Sequence, residues 1–400
     1  MIKGTDFIIT GLQPWDTPIG SNCKNIAEEI SRNNRVLYVN SPLDRFTLYK
    51  HKNEPNIIKR INIIKGKEDC FEKVNDNLTV FYPRNIIESI SKIPSNIIFK
   101  IANKHNNKIF AKEILYACNK LNFKNYYHFN DSDIYRSFYL KELLNPVMSI
   151  YYIRDYLIGT AYWKRHALYL EPLLIEKSDL VVTNSLHYSD YALKFNKNSH
   201  MIGQGCDLTL FNDEDDAIII PEDIAKIKQP IIGYMGYLSG VRLDINLLIN
   251  IAESRPEWSI VFIGPEDDRF KNSKLHQLQN VHFLGSKKEN ELPSYIKGFN
   301  VAINPQTTNM FTIGNYPRKI DEYLAMSKPV IATFTKAMEY FAGCTYLANN
   351  SEEYISLIEK ALLENSPEKQ KYRREVAKTH SWVNNVNLIY EDILNTNNSF

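Results

Sequence analysis

The sequence predicts an α/β protein of two successive domains, each built on a parallel sheet. Three observations carry this. Apolar strand-like runs alternate with segments of helical period along the 400 residues. A chain of that length exceeds what one hydrophobic core ordinarily supports. The rhythm also breaks once, at the acidic and proline-punctuated "NDEDDAIIIPEDIAKIKQ" of 212–229, a composition that suits a linker.

Each element follows in order. "DFIITGL" (6–12) reads as a buried first strand, "QPWDTPIGS" as a loop, "NCKNIAEEISRN" as a helix and "RVLYVNSP" as the next strand. Strand, helix, strand within about 40 residues is a βαβ unit, which implies parallel pairing. Residues 45–80 are less regular, with the isoleucine-rich "NIIKRINIIKG" among many charges. The pattern from 84 to 124 is helical, with a break at Pro94. "NYYHFND" and "VMSIYYIRD" read as strands, "WKRHALYLEPLLIEKS" as a helix, and "DLVVTNS", "LHYSDYALKFN" and "SHMIGQGCD" as strand, helix and strand. After the linker come strand "PIIGYMGYL", helix "DINLLINIAESR", strands "WSIVFIG" and "NVHFLG", helix "ELPSYIKGF" and strand "NVAINP". We place the domains at 1–211 and 212–384, with a C-terminal helix at about 385–400 packing back on the first.

Composition excludes several classes. A hydrophobic share of 44% with 24% charge is that of a globular protein, and a net charge of +2 gives no field for nucleic acid. The five cysteines, Cys23, Cys70, Cys118, Cys206 and Cys344, are odd in number and form no C-x-x-C, so free thiols in a reducing compartment fit best. "MIKGTDFIIT" lacks a signal-peptide core, and no run of about 18 apolar residues occurs. The expectation is a cytoplasmic protein. The segment "IPSNIIFKIANKHNNKIFAKEILYACNKL" interleaves lysines with Ile and Phe. It reads either as helices with one core face or as a peripheral contact with the anionic inner membrane face.

In open parallel sheets, ligands bind where strand ends lead into helices. "GYMGYLSGVRLD" (233–244) is a Gly-spaced strand-to-helix loop with Gly236 and Arg242. Glycine admits a ligand close to the backbone, and Arg242 suits phosphate oxygens. A plain turn with a surface arginine is the other reading. "GNYPRKIDEYLAMSKPVIATF" (314–334) sets Lys319 and Glu322 one helical turn apart behind Pro317, with Ile320 and Leu324 facing the core. Tyr323 and Met326 are expected on the polar side with them. The pair is either a ligand clamp or a solvated ion pair.

These residues carry a resemblance. "YPRKIDEYLAMSKPVIAT" resembles the donor-site signature of GT-B glycosyltransferases. "IIGYMGYLSGVRLDINLL", "NVHFLGSKKENELPSYIKGFNVAINP" and "KSDLVVTNSLHYSDYALKFNKNSHMIGQGCDLTLF" are similar to further segments of that family. The resemblance implies two Rossmann-like domains facing across a cleft. It implies transfer of a sugar from a UDP- or GDP-sugar to a hydroxyl of a glycan or lipid-linked glycan, as in cell-surface polysaccharide assembly.

By the resemblance Arg242 and Lys319 meet the diphosphate, Glu322 the ribose hydroxyls, and Gly285 and Ser286 the nucleobase. Thr312, Ile313, Gly314 and Asn315 offer backbone amides. "GLQPWDTPIGSNCKNIAEEI" resembles the first loop of teichuronic acid and xanthan assembly transferases. That places Trp15 and Asp16 beside the acceptor, and Gly20, Ser21 and Asn22 at the start of a helix near the donor phosphates. A capped helix with Trp15 packed under its loop is the alternative. Asp155, in "YYIRDYLIG", is the first candidate for an acid near the acceptor hydroxyl and His128 the second, each with a structural reading beside it.

The chain departs from the family pattern where Gly314 replaces an acid eight positions before Glu322, Ser327 a glycine and Asn300 an aspartate. No metal and no cofactor are expected, and "DSD" (131–133) is discounted as a metal motif. An epimerase of the same fold and a non-catalytic sugar-nucleotide-binding protein remain as alternatives.

Overall fold

A computed structural model describes residues 1–17 and 20–397. The last three residues of the expected C-terminal helix lie outside that range. Contacts divide the chain into two units, Met1–Gly203 with Asn385–Phe400, and Gln204–Asn384. The division falls eight residues before the 211/212 boundary that composition suggests.

The first unit holds β1 (Asp6–Gly11), β2 (Arg35–Val39), β3 (Phe71–Lys73), β4 (Leu78–Phe81), β5 (Tyr127–Asp131), β6 (Met148–Ile153), β7 (Leu180–Thr183) and β8 (Ser199–Met201). They form one sheet in the order β3-β4-β2-β1-β5-β6-β7-β8. The β3–β4 pair is antiparallel and every other neighbouring pair is parallel. β1, β5 and β6 are buried at every position, and for that reason β1 and β6 read as near-continuous apolar runs. The chain order reverses direction between β1 and β5, so their C-terminal ends open a crevice at Gly11 and Asp131.

Two stretches differ from expectation. Helix does not fill 84–124: it runs only over Asn96–Leu121, with Ser95 Oγ accepting from the Ile98 N–H. A proline disfavours helical backbone in the residue before it, which moves the start past Pro94. The irregular 45–80 stretch contains helices Arg45–Lys50 and Pro55–Ile64 as well as β3 and β4. In the second of these helices Ile57, Arg60 and Ile63 recur three apart on the buried face. The C-terminal helix, Trp382–Asn397, joins the first unit from Asn385 onward. Asn385 Nδ2 donates to Ile202 O at 2.8 Å, and Asn34 Nδ2 to Tyr390 Oη at 2.8 Å.

The second unit holds β9 (Ile231–Met235), β10 (Ser259–Ile263), β11 (Val281–Phe283), β12 (Val301–Asn304), β13 (Val330–Thr333) and β14 (Tyr346–Ala348). Its sheet is parallel throughout, in the order β11-β10-β9-β12-β13-β14. Here the order reverses between β9 and β12, so the segments after Met235 and after Asn304 flank the crevice where such sheets take ligands. Asn300 Oδ1 accepts from the Ile231 N–H at 2.7 Å, tying the turn before β12 to the start of β9.

Candidate donor and acceptor sites

Strands β9, β10 and β11 each lead to a glycine with positive φ: Gly236 (+133°), Gly264 (+140°) and Gly285 (+69°). The backbones interlock. Gly236 N–H donates to Ile263 O at 2.8 Å and Gly264 N–H to Gly285 O at 2.9 Å. A Cβ on Gly264 would lie 2.0 Å from Gly236 O, and a Cβ on Gly236 would lie 3.0 Å from Lys319 Nζ. The glycines therefore bring bare backbone to the crevice and leave room for the lysine.

The Lys319–Ala325 helix reaches this point from the β12 side. Lys319 Nζ donates to Tyr234 Oη at 2.5 Å and sits 4.2 Å from that ring's centroid. Glu322 is buried, and its Oε1 accepts from Arg318 Nε at 2.9 Å. Burial pushes its carboxyl above the usual range, while Arg318 and Lys319 pull it back. The acid is thus held by Arg318 and the lysine by Tyr234, and the solvated-pair reading falls. Arg318 stands outside the Lys–Glu pair that the motif draws attention to. Its i to i+4 spacing from Glu322 is the sequence signal for this contact.

The rest of the motif anchors this helix. Tyr316 Oη donates to Asp321 Oδ2 at 2.8 Å, and His380 Nδ1 lies 2.7 Å from Asp321 Oδ1. Tyr323 and Met326 are fully buried, not on the polar side as expected. The Tyr323 hydroxyl accepts from the Met235 N–H at 2.8 Å, which ties the helix to the end of β9. Ser327 stands at φ +60°, a conformation that favours glycine, and its hydroxyl accepts from Arg374 Nη1 at 2.7 Å.

Arg242 is exposed in the loop after β9, and its carbonyl accepts from the Thr307 N–H at 2.9 Å. Gly285 and Ser286 are exposed after β11. The loop amides are not all available. Thr312 and Ile313 donate to Asn309 O at 3.1 and 2.9 Å, and Asn315 to Thr312 O at 3.0 Å. Thr312 is also buried, with its hydroxyl bonded to Thr307 O.

In the first unit, Asp131 ends β5 fully buried and accepts from Arg154 Nε at 2.7 Å. Arg154 Nη1 in turn donates to Asp155 Oδ2 at 2.8 Å, and the Asp155 side chain is 42% exposed. A Cβ on Gly11 would meet Asp131 Cβ at 2.9 Å, so β1 ends in glycine because this carboxylate fills the crevice. The "DSD" carboxylates are both held by arginines, Asp133 by Arg136 Nε at 2.6 Å.

His128 is 2% exposed inside the sheet, with Nε2 3.0 Å from Thr10 Oγ1 and Nδ1 unpartnered. Burial lowers its pKa to about 4, so it is a neutral core histidine out of reach of an acceptor.

Ser21 caps the Asn22–Ser31 helix, its Oγ accepting from the Lys24 N–H at 3.3 Å, and Asn22 Nδ2 donates to Tyr152 Oη at 3.3 Å. Trp15 packs edge-on to Tyr38 at 5.0 Å, its backbone N–H donates to Asn40 Oδ1, and Asp16 pairs with the buried Arg60 at 3.2 Å. Gly20 is exposed. The capped-helix reading of this loop is the one these contacts describe.

Residues 229–364 match the model of the family described as glycosyl transferases group 1. HepE of Anabaena, solved in complex with UDP, superposes with a TM-score of 0.67 at 13% identity, over 98% of this chain and 100% of that one. The chain has the GT-B fold, and the stretch of its second unit from 229 to 364 is similar to the group 1 glycosyl transferases. Sucrose-phosphate synthase of Thermosynechococcus elongatus is a further GT-B neighbour, with a TM-score of 0.64 and 13% identity over 99% and 100% of the two chains. In sequence, the chain is 28% identical over 159 residues to TuaH of Bacillus subtilis (strain 168), provisionally named a teichuronic acid biosynthesis glycosyltransferase. That match spans 37% of this chain and 40% of TuaH. No helix among the described residues is long and apolar enough to cross a membrane.

Proposed function

We propose that this chain transfers a sugar from a UDP- or GDP-sugar to a hydroxyl of a glycan or lipid-linked glycan in cell-surface polysaccharide synthesis. One observation carries the reading: Lys319 and the Arg318-held Glu322 stand on one short helix beside Gly236, at the point where the order of the second sheet reverses. UDP in the HepE complex and UDP-glucose in another HepE complex support the ligand class.

In this reading Lys319 and Arg242 stabilise the diphosphate as the sugar–oxygen bond to phosphate breaks. Glu322 accepts ribose hydroxyls through its second carboxylate oxygen, and the exposed Gly285 and Ser286 border the base. Asp155, held by Arg154, takes the proton of the acceptor hydroxyl as that oxygen bonds to the sugar. With three loop amides already bonded, the loop at 312–315 contributes shape more than donors.

The membrane side of the proposal rests on the start of the Asn96–Leu121 helix. Ile97, Ile98 and Ile101 are 75%, 58% and 66% exposed there, with Lys100 and Lys104 exposed beside them. Such a patch suits the boundary of an anionic bilayer, where a lipid-linked acceptor lies.

Turnover separates the alternatives. Incubation with UDP- and GDP-sugars, with and without bacterial lipid-linked glycan extract, is expected to release nucleoside diphosphate at a rate that depends on the extract. Donor isomerised without extract would show an epimerase instead. Donor bound but unchanged under every condition would show a binding protein.

A further inference from the structure

A separate cavity lies in the second unit, lined by residues at or beyond the ends of β9, β12, β13 and β14. None of Gly236, Arg242, Gly285, Ser286, Lys319 or Glu322 lines it. Its volume is ≈ 220 Å³, below the roughly 300–1,000 Å³ of sites that hold drug-sized ligands. That is room for one sugar ring.

Its lining is rich in side-chain amides: Asn246, Asn250, Gln306, Asn349 and Asn350. Asp244, Thr308 and Thr333 add oxygens, and no lysine or arginine is among the described lining residues. An anion would meet Asp244 with no cation in the lining to offset it. A neutral polyhydroxylated ring fits, because each hydroxyl both donates and accepts, as each amide does.

An independent observation points the same way. Gln306 is 5% exposed, yet its Oε1 has no hydrogen-bond partner. A buried, unpaired amide oxygen costs free energy until a donor reaches it. Neighbouring polar groups are already committed. Tyr354 Oη donates to Asn304 O at 3.0 Å, and the Thr333 hydroxyl lies 2.9 Å from the same Tyr354 oxygen. Asp244 Oδ1 accepts from the Leu247 N–H at 3.0 Å, and Asn350 Oδ1 from the Glu353 N–H at 2.9 Å. The floor is thus preorganised, and the unpaired Gln306 below with the exposed Asn246 and Asn250 at the rim is left to meet a ligand.

We infer that this cavity binds one pyranose residue of a glycan, at a place separate from the donor site. That the sugar belongs to a glycan rests on the proposed transferase reading; the hydroxyl chemistry rests on the lining alone.

Saturation-transfer NMR tests it, using the methyl glycosides of glucose, galactose, mannose and N-acetylglucosamine on the full chain with UDP present in excess. Asn250 is exposed on its helix, so Asn250→Trp fills the cavity mouth without touching the core. At least one glycoside is expected to show saturation transfer that Asn250→Trp abolishes and Lys319→Ala retains. No transfer from any of the four, or transfer that Asn250→Trp leaves unchanged, overturns the inference. Circular dichroism of the same samples shows whether Asn250→Trp is folded. If it is not, Asn246→Trp, at a second exposed lining position, replaces it with the same two outcomes. A thermal shift with UDP reports on the donor reading separately.

Discussion

Gly264→Ala perturbs the donor crevice through backbone alone. The added Cβ would lie 2.0 Å from Gly236 O and 2.7 Å from Gly236 C, neither of which can swing aside as a side chain would. The residue also sits at φ +140°, where an L side chain is strained by about 1–3 kcal/mol. Overpacking against fixed neighbours adds about 1–3 kcal/mol. The sum, about 2–6 kcal/mol, is a large part of the roughly 5–15 kcal/mol that holds a domain folded. The displaced carbonyl belongs to the glycine beside Lys319, so nucleotide affinity is expected to fall together with stability. Urea denaturation followed by circular dichroism reads the first effect and calorimetric titration the second. Gly343→Ala is the control, since its Cβ comes no nearer than 3.7 Å to Tyr372 Oη. If Gly264→Ala unfolded within about 0.5 kcal/mol of the parent, the interlocked-glycine account would be refuted.

Other outcomes follow from the buried groups. His128 has a folded pKa of about 4 against an ordinary 6.5, so its share of stability is present above pH 6.5 and lost as pH falls towards 4. That share is about 3 kcal/mol, and His128→Gln is expected to remove the corresponding slope from urea midpoints measured against pH. Glu171 behaves oppositely. Burial raises it to about 7, so its share is present below 4.5 and lost as pH rises through 7, and Glu171→Gln should flatten that limb. Arg154→Met strands the buried Asp131 carboxylate and is expected to cost about 3–5 kcal/mol in thermal unfolding, with Asp131→Asn in the same chain restoring part of it. Asp155→Asn, at a half-exposed position, should leave folding and nucleotide binding unchanged while slowing transfer by about 10²–10⁴-fold.

The α/β rhythm is legible because strands buried on both faces, such as β1 and β6, are near-continuous apolar runs between helical segments. β3 and β4 are not, because they lie in a charge-rich stretch with no helix between them to set the rhythm, and β14 is not, because only Ala348 of its three residues is buried. The Lys319–Glu322 spacing is legible, but its partners are not. Arg318 stands one residue outside the pair, and Tyr234 comes from a strand 85 residues away. Helical period places Ile320 and Leu324 correctly but misplaces Tyr323 and Met326. The helix is short and enclosed on more than one side, so apolar residues off the main stripe are buried as well. His128 shows the limit of residue type as evidence: only its position between β1 and β6 shows it to be core. The Asp131–Arg154–Asp155 chain joins residues 23 positions apart, a link that parallel pairing of β5 with β6 creates and local sequence does not announce.

Isothermal titration of UDP and GDP into the full chain, repeated with Lys319→Ala and Glu322→Gln, tests the central claim most directly. Each charged contact is worth about 1.5–3 kcal/mol, so one nucleotide is expected to bind and to weaken by about 10–150-fold in each variant. Binding of neither nucleotide to the parent, or equal binding to parent and both variants, would contradict the assignment of this helix to a nucleotide-sugar donor.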